Sequence, residues 1–146
     1  MSSSITSEAE RKMLDAMFGA QSVPANYYLG LSTTQPAEDG TGVSEPTIGV
    51  NGYARVDVPN TLAVSSFLAA VSGDPSTKKN NGPLTFPTAS GDWSGGTDFQ
   101  WVVVWDHATN TGAAGVMAYV EMTVPKPVLD LDIFTVPDQE LNFTLD

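Results

Sequence analysis

Residues 99–105 read FQWVVVW. In an extended chain Phe99, Trp101, Val103 and Trp105 fall on one side and Val102 and Val104 on the other, so both sides are apolar. β-Branched and aromatic residues favour a strand, and a strand apolar on both faces belongs in the middle of a sheet with material on each side.

Other segments fit around that strand. YYLGLST (27–33) alternates, with Tyr27, Leu29 and Leu31 on one side and Tyr28, Gly30 and Ser32 on the other, and ends at Pro36. YARVDV (53–58) is expected to turn Ala54, Val56 and Val58 inward and Tyr53, Arg55 and Asp57 outward. Leu84–Phe86 forms a short strand closed by Pro87, and Val116–Val124 alternates. Pro125 and Pro127 confine the next stretch, LDLDI (129–133), to an edge or corner, where it alternates aliphatic with acid. Leu141, Phe143 and Leu145 face inward on a last strand, and the apolar segment 61–71 is assigned to a strand. Seven or eight short strands without a βαβ rhythm, with 13 Gly and 10 Pro, predict an all-β fold. Its form is an antiparallel β-sandwich, jelly-roll-like or Ig-like, with a short N-terminal helix.

That helix is expected to start at Ser7-Glu8-Ala9-Glu10, which has capping-box spacing, and to end at Gly19. Ala9, Met13 and Met17, with Leu14 and Phe18, make an apolar stripe opposite Arg11, Lys12 and Asp15. Three turns are marginal alone, so the stripe needs cover from its own domain or from a neighbouring subunit. The 146 residues make one domain, 1–146, with 1–20 as an N-terminal arm.

Between the strands lie polar loops, Pro36–Gly52 and Ser72–Pro83, the second carrying Lys78 and Lys79, and a Gly-rich turn at 91–97 holding Trp93. Seventeen acids against six bases give a net charge of −11. From Asn80 onward nine acids face Lys126 alone. Such a surface repels phosphate backbones and anionic lipid, which excludes direct nucleic-acid and membrane partners. There is no cysteine, no signal-peptide pattern and no apolar run of membrane-spanning length, so a soluble protein made in a reducing cytoplasm is expected.

Candidates for chemistry lack partners. His107 beside Asp106 suggests acid–base work, but no G-x-S-x-G nucleophile or second strong metal ligand accompanies it, and a turn in which Asp106 bonds backbone N–H groups is the simpler reading. Asp130-x-Asp132 and Glu38-Asp39-Gly40 suggest a weak Ca²⁺ site but supply few oxygens. No Walker A, dinucleotide or HExxH motif occurs, and no catalytic residue, metal or cofactor is assigned. Trp101 and Trp105 read as core; Trp93 reads as the tryptophan open to a contact.

YYLGLSTTQP (27–36), VNGYARVDV (50–58), LTFPTASGDW (84–93) and VVVWDHATNTG (102–112), in that order behind a short helix, resemble a family of tailed-bacteriophage structural proteins described as tail fibre or head decoration proteins. The resemblance covers most of the chain and implies a β-sandwich virion component without enzymatic activity.

Together these readings lead to a capsid decoration, or cement, protein on the outer shell of a double-stranded DNA phage, a homotrimer bridging major capsid subunits. A tail fibre or tail-tip component that recognises the host surface is the alternative, and a carbohydrate-binding module or small hydrolase is a third reading from a different class. Residues expected at protein contacts are Met13, Met17 and Phe18 on the helix, Arg55, Lys78 and Lys79 as cationic anchors, and Trp93.

Overall fold

A computed structural model describes residues 3–19, 21–60 and 66–145. In chain order these form β1 (Ser3–Ile5), α1 (Ser7–Met17), β2 (Asn26–Ser32), β3 (Val56–Pro59), β4 (Ser76–Lys79), β5 (Leu84–Thr85), β6 (Phe99–Trp105), β7 (Val116–Lys126), β8 (Thr135–Val136) and β9 (Asn142–Leu145). The body is all-β and sandwich-like, and among the described residues each strand pair is antiparallel. Residues 61–65 of the strand expected at 61–71 lie outside the described residues; Phe67 and Val71 make isolated bridges to Asn80 and Thr77.

The main sheet runs β1-β7-β6-β2-β3, and FQWVVVW is its central strand. Leu29, Leu31, Val58, Val102, Val104 and Val120 point from it into the larger core, where Phe86, Phe134, Val136 and Leu141 meet them. The ribbons β4–β9 and β5–β8 supply the second layer. Each large aliphatic or aromatic side chain so enclosed contributes roughly 1.5–3 kcal/mol. Val103, Trp105 and Val116 face the opposite way and form a smaller cluster, covered by Tyr28 and by Val43 of the 36–52 loop.

Phe99 departs from simple alternation. Its partner on β7 is Lys126, whereas Trp101 pairs with Glu121, so β7 holds surplus residues between them. Pro125 falls in that surplus and has no N–H for the ladder. The bulge re-aims Phe99 into the larger core beside Val102 and Val104 instead of leaving it with Val103 and Trp105. Trp101 packs edge-on against Tyr119, with ring centroids 5.8 Å apart.

Three further expectations are corrected. Lys78 and Lys79 sit in strand β4, paired with Phe143 and Asn142, not in a loop. Leu129–Ile133 is a turn instead of a strand: Leu131 has φ 68° and donates its N–H to Ala89 O. Tyr53 and Arg55 precede β3 and turn inward, because the 3-10 turn at Val50–Gly52 rotates the chain before strand alternation begins.

Candidate functional site

Helix α1 begins one residue earlier than capping-box spacing implies. Thr6 is the N-cap: its Oγ1 accepts from Ala9 N at 3.3 Å and donates to Val116 O at 2.6 Å, tying the helix start to β7. Gly19, at φ 82°, follows the C-cap Phe18. Arg11 pairs with Glu8 at 2.5 Å and Asp15 at 2.6 Å along the helix. Lys12 crosses to the Asp106 carboxylate.

The apolar residues of α1 divide between two sides. Ala9 is buried in the core and Met13 lines a hollow of about 400 Å³, whereas Leu14, Met17 and Phe18 are exposed, Phe18 to 80%. The hollow lies between α1, the end of the sheet near Val104 and Ala118, and the β4–β9 ribbon. Phe67, Met117 and Phe143 line it, Val23 and Pro24 of the connector after α1 border it, and Lys78 adds a cation. Met13 and Lys78 therefore line one hollow, whereas Met17 and Phe18 stand exposed on the other side of α1. Lys79 alternates away from Lys78 on β4, and its carbonyl accepts from Leu68 N.

Arg55 and Trp93 are placed elsewhere, and their expected exposure is corrected. The Arg55 side chain is fully enclosed. Its guanidinium donates to Glu45 through Nε at 2.9 Å and Nη2 at 2.7 Å, and its Nη1 donates to the carbonyls of His107 and Asn110. It also stacks 3.7 Å from the Trp105 ring centroid. Arg55 thus ties the 36–52 and 106–112 loops to the sheet and leaves no charge at the surface. Trp93 is buried, with its indole N–H donating to Asn51 O at 2.7 Å and its ring edge-on to Tyr53 at 5.1 Å. Tyr53 is buried too: its hydroxyl accepts from Leu31 N and donates to Glu45. Burial, then the Glu45 charge, hold that hydroxyl's pKa well above the ordinary value.

The groups that suggested acid–base chemistry make structural bonds. Asp106 is held by Lys12, and the exposed His107 accepts the N–H groups of Thr109 and Asn110 at Nδ1, so the histidine and not the aspartate organises this turn. Asp39 accepts from Thr41, which draws its pKa down, and Asp132 accepts from Leu129 N. Among the described residues, no three His, Cys, Asp or Glu side chains gather as metal ligands would.

One surface feature escaped the sequence reading. Leu129, Leu131 and Ile133 stand exposed on the turn after β7, Leu131 to 76%. Pro125, Pro127 and the Asp-Leu-Asp spacing are the sequence signals of this turn, and the period-2 pattern of 129–133 masks them.

The fold and these placements describe a sandwich-like all-β domain with large apolar side chains exposed on α1 and on the turn after β7. Residues 4–144 match the family described as Podophage GP4 fiber I protein gp80. The chain belongs to that family of phage fibre structural proteins. No curated protein matches the sequence. No helix among the described residues is long and apolar enough to cross a membrane.

Proposed function

We propose that this chain is a tail fibre component of a podovirus-type virion, working by protein–protein contact and without catalysis. The match across residues 4–144 carries the reading, since it spans α1 and reaches into the last strand. The burial of Arg55 and Trp93 and the structural bonds of Asp106 and His107 support it, because each removes a candidate for chemistry or for small-ligand stacking. Head decoration, with the major capsid protein as partner and a trimer as the unit, draws less support, since the family description speaks of a fibre.

Electron microscopy of the intact virion tests the assignment. Density for this fold on the tail, in a few copies per particle, supports a fibre. Density at three-fold positions of the head, in hundreds of copies, refutes it in favour of decoration. For the non-enzymatic part, a hydrolytic activity abolished by His107→Ala would refute the reading.

A further inference from the structure

We infer that the outer side of α1 and the neighbouring hollow form a self-association contact, in which Phe18 and Met17 of one copy seat in the hollow of another. This contact is independent of whether the particle carries the chain on its tail or its head.

The first argument is what α1 leaves uncovered. Leu14, Met17 and Phe18 stand at i, i+3 and i+4, so they share one side of the helix. Their exposures are 57%, 76% and 80%, and nothing in the described chain packs over them. Large apolar groups exposed together, at the end of an otherwise well-tied helix, mark an interaction surface.

The second is that the matching cavity lies beside them. Met13, one residue before Leu14, and Val23 and Pro24, a few residues after Phe18, all line the hollow. Its volume of about 400 Å³ accommodates an aromatic and a thioether side chain. Phe18 cannot fill the hollow of its own chain, because Ala9 and Met13 already turn that side of the helix inward. Knob and socket on one patch are what an isologous or ring-closing contact between identical copies requires.

The third is charge. Copies of a chain at −11 repel one another over most of their surface. Around this patch Arg11, Lys12 and Lys78 stand against Glu8, Glu10, Asp15 and Asp106, so three cations face four anions and the local balance is −1, far below the acidic excess of the chain as a whole. A second copy therefore meets the least electrostatic opposition where the apolar complement is also present.

Sedimentation velocity of the full chain over a concentration series tests the contact. Wild type is expected to associate at high micromolar concentration, as a dimer if two knobs exchange or as a ring if they follow head to tail. Phe18→Glu removes the knob, and Ala70→Trp, at an exposed residue on the hollow's rim, blocks the socket. Each should weaken association at least about tenfold, with the near-UV circular dichroism unchanged. Mixing the two variants should restore part of it, since one carries an intact socket and the other an intact knob. A wild type that stays monomeric overturns the inference and leaves the stripe to a different virion protein. Association as tight as wild type in both variants overturns it as well.

Discussion

Arg55 and Glu45 form a two-pronged ion pair inside the protein, with the arginine side chain at 0% exposure and the glutamate at 7%. Ten residues of separation place one partner in the 36–52 loop and the other just before β3, so the pair closes the loop onto the sheet. Glu45→Ala leaves a guanidinium enclosed without its counter-charge. Denaturant unfolding should show a loss of about 3–5 kcal/mol. A change under about 1 kcal/mol would mean that water screens the pair as it screens surface pairs.

Gly30 on β2 allows that pair its position. A Cβ added there would stand 2.3 Å from Glu45 Oε1 and 3.0 Å from Trp105 Nε1. Gly30→Ala should therefore cost about 1–3 kcal/mol by overpacking. Because the clash is with the carboxylate, the same change should cost markedly less in the Glu45→Ala background. A double-mutant cycle measures this, and strict additivity would contradict the packing described.

The sheet was legible in the sequence and the loops were not. β6, β2 and β7 combine long apolar runs with β-branched residues, so burial and local preference agree. Alternation that runs past the end of pairing is a false guide: Tyr53 and Arg55 lie before the pairing that begins at Val56 and are buried, and Leu129–Ile133 imitates a strand while forming a turn. Arg55 reads as a surface anchor in the sequence because its partner Glu45 lies in a stretch without periodicity, and only tertiary structure brings them together. On α1, the apolar stripe that includes Met17 and Phe18 is legible from helical spacing. The hollow is not, because its lining comes from segments as distant as Met13 and Phe143.

Helix α1 offers a test of which hydroxyl caps it. Thr6 is fully buried, accepts from Ala9 N and donates to β7, whereas Ser7 lies inside the helix. Thr6→Val should cost about 1–2 kcal/mol, and Ser7→Ala almost nothing. Equal effects, measured by thermal or chemical unfolding, would place the cap elsewhere.

Trp93, Trp101 and Trp105 are all buried, at 7%, 7% and 1% exposure. The native protein should therefore emit at short wavelength, and caesium ion, which the acidic surface attracts but which cannot enter the core, should quench it little until denaturant is added. Strong caesium quenching of the native state that disappears in Trp93→Phe would return Trp93 to the surface.

Tyr53 ties stability to high pH. Its hydroxyl is buried beside Glu45 and titrates well above the unfolded value near 10. Below pH about 10 it is protonated in both states, so ionisation changes nothing. Above that value the unfolded chain loses the proton while the native chain keeps it. The native state then binds more protons, and stability falls as pH rises from about 10 toward the folded pKa. Tyr53→Phe should be less stable at neutral pH, because the hydroxyl bonds to Leu31 N and Glu45 are lost, yet its stability should decline less steeply above pH 10. Tyr27 is raised in the same direction by burial and Asp106, so the comparison must be the difference in slope between wild type and variant. Parallel slopes in denaturation series from pH 8 to about 11 would show that the Tyr53 hydroxyl is open to solvent and that the 36–52 loop does not seal it.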